Sequence, residues 1–153
     1  MRTRFIGDTE EIAEVINKCQ VCHMSMVGPD HEPYVLPMNF GYHEGVVYLH
    51  SSKHGKKIDI LQQNPRVVLA FSCDYFLRYQ NEGVACSYSM KYRSILIYGK
   101  AEFIDDPDAK KEVMNVIMRQ YTGKDFSFNM PAIREVCVYK VVPEKITGRA
   151  YGL

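Results

Sequence analysis

Between Val46 and Lys57 the chain reads VVYLHSSKHGKK, gathering His50, Ser51, Ser52, Lys53, His54, Lys56 and Lys57 around one glycine, Gly55. The first half alternates like a strand and the second half opens a helix, so these polar groups meet at a strand-to-helix turn. A helix start presents unpaired backbone N–H groups and the positive end of the helix dipole, and so attracts anions. Gly55 permits close backbone approach, the serines bring hydroxyl donors, and Lys56 and Lys57 bring charge. The set suits a phosphate monoester. A solvated basic turn would have the same composition, and without a complete Walker-type glycine loop the spacing leaves both readings open.

A second candidate lies just upstream, in PYVLPMNFGYH at 33–43. Proline inside a strand removes a ladder donor, so Pro37 marks an edge, a bend or a bulge. Backbone freed around LPMNF could face the polar edge of a planar heterocycle, or the segment could simply be a bent barrel strand. A third pattern, CQVCH at 19–23, has the C-x-x-C-H spacing of covalent haem attachment. Cys19 falls in the last turn of a helix, and Cys22 and Met24 alternate on one strand face, so buried free cysteine is the expectation. No second ligand pair stands at zinc spacing. His31 and His43 fall in turns and are expected to be exposed.

The elements that must position these groups can be read around them. Asp8 followed by Glu11 has the form of a capping box, with Ile12, Val15 and Ile16 continuing a short helix. CHMSMV (22–27) is a strand ending in the turn GPDHE. The 33–43 strand, interrupted at Pro37, is joined through Glu44-Gly45 to VVYLHS as a hairpin. GKKIDILQQNP carries apolar residues at 58, 60 and 61 and stops at Asn64-Pro65, a short helix.

RVVLAFS (66–72) is a continuous apolar strand, followed by a polar loop over 74–83. The aromatic DYFLRY there is expected to pack on the barrel, or else to line a substrate mouth with Arg78 facing an anion. The second half of CSYSMKYRSILIYGKAEFID alternates as a strand. DPDAKKEVMNVIMRQYTGKD is the clearest helix, started by Asp106 or Pro107 and capped by Gly123, with Met114, Ile117 and Met118 on its core face. EVCVYKVVP and KITGRAY close the chain as strands. Strands joined by short turns pair antiparallel, and six or so can close a small barrel around one core. The fold class is α+β, in a single domain spanning 1–153.

Composition narrows the function classes. Net charge is +1, so the basic turn is a local feature and nothing overall favours nucleic acid or a membrane surface. No apolar run approaches a bilayer span, and MRTRFIGDTEEIAEV lacks an apolar signal-peptide core, which predicts a cytoplasmic protein. Five cysteines at irregular spacing do not make a disulfide framework.

The stretch YVLPMNFGYHEGVVYLHSSKHGKKIDILQQNPRVVLAF resembles the core of the flavin-binding split-barrel proteins related to pyridoxamine 5'-phosphate oxidase, and more narrowly their nitroimidazole-resistance (Nim) branch. The likeness rests on the proline-asparagine strand, the glycine hairpin, YxH with serine, GKK about five residues later, and NP before an apolar strand. YRSILIYGKAEFI and PEKITGRAY extend it over most of residues 9 to 151.

The resemblance implies a six- to seven-stranded, mainly antiparallel split β-barrel with flanking helices. It implies a homodimer with flavin at the interface, FMN or alternatively FAD. Carried over residue by residue, Pro37, Met38 and Asn39 lie along the isoalloxazine ring. His50, Ser51 and Ser52 flank the ring and ribityl chain, Lys56 and Lys57 hold the phosphate, and Tyr92 and Ser94 come from the partner subunit. Arg149 and Tyr151 close over the flavin.

Tyr88, Tyr92, Ile95 and Ile97 are expected on the dimer face. The implied activity is two-electron reduction of a small molecule such as a nitroimidazole, with His50 as the catalytic proton relay. Oxidation of a pyridoxamine-like amine is the alternative. Lys56-Lys57 in place of an arginine-lysine pair, and a chain that stops at Leu153 before any long basic segment, count against it. A flavin- or haem-binding module without turnover is a further alternative.

Overall fold

The computed structural model describes residues 2–153. Nine strands form one antiparallel system: β1 (Thr3–Ile6), β2 (Cys22–Val27), β3 (Pro33–Met38), β4 (Gly41–His43), β5 (Val46–Ser52), β6 (Arg66–Arg78), β7 (Ser89–Ile104), β8 (Val136–Val141) and β9 (Lys145–Tyr151). The α-helices are α1 (Thr9–Lys18), α2 (Lys56–Gln63), α3 (Pro107–Thr122) and α4 (Met130–Glu135). The sheet runs β3-β2-β6-β7-β8-β5-β4, with β9 pairing both β7 and β1. This is the α+β split-barrel architecture expected, with nine strands instead of six or seven.

Strand β7 makes the barrel. Up to Lys100 it pairs with β6, while its middle, Tyr92–Tyr98, pairs with β9 and its last four residues, Ala101–Ile104, pair with β8. The other end of the curl is set by β3 and β4, which lie at opposite ends of the strand order but are separated in sequence only by Asn39 and Phe40. Two linking residues cannot span more than roughly 10 Å, so the two sheet edges must converge there. Phe40, fully buried, fills the gap edge-on against Phe71 with ring centroids 5.0 Å apart.

The linker is tied to the end of α3. The Phe40 N–H and Asn39 Nδ2 both donate to Tyr121 Oη, at 3.1 and 3.3 Å, and Tyr121 Oη donates to the Gln20 carbonyl at 2.6 Å. Gly41 lets α3 touch β4 directly, since a Cβ there would stand 2.9 Å from the Ile117 backbone. The core inside the barrel alternates along each strand: Met24 and Met26 on β2, Val47 and Leu49 on β5, Leu69 and Phe71 on β6, Ile95 and Ile97 on β7.

Several expectations are corrected. The 33–43 strand breaks at residues 39–40, not at Pro37, which stays in β3 with its only strand partner, β2, on one side. An edge strand tolerates the missing donor. The loop expected over 74–83 is strand as far as Arg78. A bulge between Cys73 and Phe76 puts Asp74 at φ 60°, and beyond it β6 resumes pairing with β7. Ile95 and Ile97 face the core, not a partner, because the outward positions of β7 are Tyr92, Ser94 and Leu96. Strand β1 and helix α4 were not foreseen.

Of the capping box only one half forms. Asp8 accepts from the Glu11 N–H at 3.0 Å, while the Glu11 carboxylate turns to Arg4, 2.7 Å away.

Candidate functional site

The turn between β5 and α2 is built around Gly55, at φ 130°, a conformation that disfavours any side chain. Asp8, Asp106 and Asn129 cap the starts of α1, α3 and α4 with side-chain oxygens. Helix α2 has no such cap. Among the four α-helices it alone leaves its first amides open at the N-terminus, beside Lys56 and Lys57.

The serines are less free than their types suggest. Ser51 is buried and its Oγ donates to the Ser52 carbonyl at 3.0 Å, while Ser52 Oγ donates to the His54 carbonyl at 2.8 Å. Both hydroxyl hydrogens therefore brace the turn, leaving the oxygens as acceptors. Lys56 reaches across to β3, where its Nζ lies 3.4 Å from Glu32 and 4.6 Å over the Tyr34 ring. Lys57 is half-buried. His50 lies opposite Val138 on β8 and is half-buried on the outward face. Burial first, then the charge of Lys57, holds its imidazole below the ordinary histidine value.

The residues of 37–39 divide. Met38 is buried in the barrel, so only its backbone can meet a ligand, while Pro37 and Asn39 are exposed. A second group lies on the outward side of β7 and β9. Tyr92 is paired in register with Tyr151 and Ser94 with Arg149, and the two tyrosine rings stack 6.2 Å apart. A depression of about 260 Å³ opens beside them, lined by Phe5, Tyr92, Ser94 and Arg149 among others.

Along the sheet, several strands lie between the two groups. A cross-strand row runs Pro37–His23–Ala70–Leu96–Thr147 through β3, β2, β6, β7 and β9. Its four inter-strand steps separate Pro37 from Thr147 by roughly 19 Å measured along the curved sheet.

Sequence reasoning missed Tyr34 and Glu32 as the neighbours of Lys56, and Tyr121 as the anchor of the 39–40 linker. It also passed over Lys110, buried on α3 with Val113 and Ile117. A signal existed, since a lysine three and seven residues before those apolar positions shares the core face of the helix.

The C-x-x-C-H segment is structural. The Cys19 thiol donates to the carbonyls of Val15 and Ser72, each at 3.3 Å. Cys22 is fully buried, and desolvation pushes its thiol up to about 12. Attachment through both sulfurs would require opening the core. Among the described residues no group of three or more His, Cys, Asp or Glu is placed to hold a metal ion, and no helix is long and apolar enough to cross a membrane.

Comparison with known proteins agrees with this geometry. The family model for pyridoxamine 5'-phosphate oxidase matches residues 8–150. A crystal structure of a candidate 5-nitroimidazole antibiotic resistance protein from Bacteroides thetaiotaomicron is 40% identical, with a TM-score of 0.88 covering 97% of this chain and 87% of that one. An FAD- and heme-binding protein from Mycobacterium smegmatis superposes with a TM-score of 0.85 at 14% identity, over 97% of this chain and 74% of that one. The flavocytochrome Anf3 from Azotobacter vinelandii does so with 0.82 at 18% identity, over 97% and 70%. At those identities the last two share the fold. No curated protein sequence matches the chain.

Proposed function

The chain belongs to the pyridoxamine 5'-phosphate oxidase family, and from that membership we propose that it is a flavin-dependent reductase of small molecules, with nitroimidazoles as the substrate class. The observation that carries flavin binding is the α2 start: the one α-helix N-terminus among the described residues without a side-chain cap, with two lysines and a half-buried histidine beside it. The donor set fits a phosphate. Lys56 leaves Glu32 at little cost, since both side chains are more than half exposed and such pairs are worth about 0–1 kcal/mol. FMN is the simplest ligand, and FAD shares the phosphate. The nitroimidazole class is supported by the 40% identity to the Bacteroides protein.

When bound, the flavin would supply the electron pair, which the protein's own side chains do not offer. Taking a nitro group to the nitroso level uses two electrons and two protons and releases water. Delivery of electrons in a pair avoids a radical anion. His50, held mostly neutral by burial and by Lys57, would accept a proton on one ring nitrogen while donating from the other. Asn39 and the backbone at 37–38 would orient the ring, with the Ser52 oxygen accepting from the ribityl hydroxyls, while Ser51, buried on the core face of β5, would brace the turn from behind.

The separation of the two residue groups argues for a homodimer. A twofold partner would set its Tyr92, Ser94, Arg149 and Tyr151 opposite the 37–39 and 50–57 group of the first chain. The outward face of β3, β2, β6, β7 and β9 along the cross-strand row is polar or small apart from Leu96, and is the surface such a partner would cover.

The test is anaerobic single-turnover oxidation of the dithionite-reduced flavoprotein by a nitroimidazole, in wild type and His50→Ala. The variant should keep most of its flavin affinity and lose rate by about 10²–10⁴-fold. Equal rates at full occupancy would remove His50 from the chemistry. No electron transfer in either protein would leave a flavin-binding module without this turnover.

A further inference from the structure

Two cations are buried among the described residues, and they are treated in opposite ways. Arg93 meets three carboxylates, with its nitrogens 2.7 Å from Asp74, 3.2 Å from Glu14 and 3.4 Å from Glu11. Lys110 is only 7% exposed as a residue, and its side chain has no ion-pair or hydrogen-bond partner within the chain. Its stem is buried against the core face of α3 while its ammonium still reaches solvent, the arrangement of a long cation snorkelling to an opening, with its donors free for a ligand.

Lys110 lines a cavity of about 600 Å³. The cavity lies between the β5–α2 turn, the end of β7, the start of β8 and the helices α3 and α4. Its floor is apolar, with Phe103, Ile133 and Val138 among the lining residues. Its charged groups are Lys53, Lys110 and Arg134 with His54, against Asp59 and Asp105. Lys110 is the charge that most offsets the burial of the neighbouring Cys137 thiol. Lys56 reaches toward β3, so the cavity opens on a different side of the turn.

We propose that this cavity binds a small organic anion, its carboxylate or phosphate taken by Lys110 and its apolar body by the floor. The size suits a metabolite, and an apolar pocket with few convergent polar groups is the usual form of a small-molecule site. The site shares Lys53 and His54 with the β5–α2 turn but takes its anion on Lys110, not on Lys56 or Lys57.

The test is isothermal titration of the full chain with phenyl phosphate and with benzoate, using benzyl alcohol as the neutral control. Either anion should bind while the alcohol does not, and the stronger of the two tells phosphate from carboxylate. Lys110→Met should weaken anion binding by about tenfold or more, the loss of one charge-assisted contact. Its melting temperature should hold or rise, because a methionine fills the buried path without the charge. Lys56→Ala should leave the anion affinity unchanged, and saturation with FMN should leave it unchanged as well.

Absence of binding, equal affinity in Lys110→Met, or displacement of the anion by FMN would overturn the proposal. Flavin binding without anion binding sinks this site alone. Anion binding without flavin binding sinks the reductase reading alone.

Discussion

Replacing Lys57 by alanine separates the flavin-phosphate assignment from a merely solvated basic turn. Lys57 is half-buried at the uncapped start of α2, with no ion pair to give up. A charge-assisted contact to phosphate is worth ~1.5–3 kcal/mol, so Lys57→Ala should weaken FMN binding roughly 10- to 150-fold. Lys56→Ala should cost less, since Lys56 must first leave Glu32 and the Tyr34 ring. Together the two losses reach about 3–5 kcal/mol, a factor of roughly 10²–10⁴ in Kd.

Flavin fluorescence titration reads the affinity, and a melting curve on the same samples checks that the fold is intact. A second readout comes from His50. Lys57 disfavours the imidazolium, so its removal should raise the His50 pKa, visible as an upward shift in the NMR titration of its ring protons. Unchanged FMN affinity in the double variant at an unchanged melting temperature would refute the placement of phosphate at this turn. A His50 titration that stays put in Lys57→Ala would refute the electrostatic link between them.

Gly148→Ala would set a Cβ 2.7 Å from Ile6 Cβ and 2.8 Å from Ile95 Cδ1, between β1 and β7. Overpacking of this kind should cost about 1–3 kcal/mol in urea denaturation. Arg93→Met removes the cation shared by Glu11, Glu14 and Asp74, at a cost of about 2 kcal/mol at pH 7, below that of a fully buried pair because the carboxylates keep some solvent contact. Those carboxyls sit below their ordinary values, Glu11 chiefly through Arg4, Glu14 through Arg93. At Asp74 burial acts upward, but the hydrogen bonds from Arg93 and Lys18 outweigh it. Their contribution is present above about pH 4 and fades as pH falls through the depressed values, so the gap between wild type and variant should close in acid melts. Leu96→Arg, on the outward row of the sheet, should shift sedimentation from dimer to monomer and lower flavin occupancy with it. A monomer that retains full flavin would count against the shared site.

Much of the chain was legible because its signals act over a few residues. Asp106 and Gly123 delimit α3, since a cap bonds the first turn and a left-handed glycine ends the last. Glu44 and Gly45, at φ 49° and 78°, make the tight hairpin before the β5–α2 turn. The residues of that turn also declared themselves by type. Other features depend on groups far apart in sequence.

Strand β1 has no partner until β9 arrives nearly the whole chain later, so its four residues carry no local pattern of their own. Strand β6 continues past residue 73 because Arg93 and Lys18 hold Asp74 in the bulge, an arrangement that polar residues alone read as loop. Spacing likewise could not show that Ser51 and Ser52 spend their hydrogens on the turn itself, or that the Lys110 side chain is buried with no carboxylate paired to it. The distance between Pro37 and Arg149 is set by the number of strands between them. Local sequence picks out the residues of the proposed site by type, and sheet order decides how many strands lie between them.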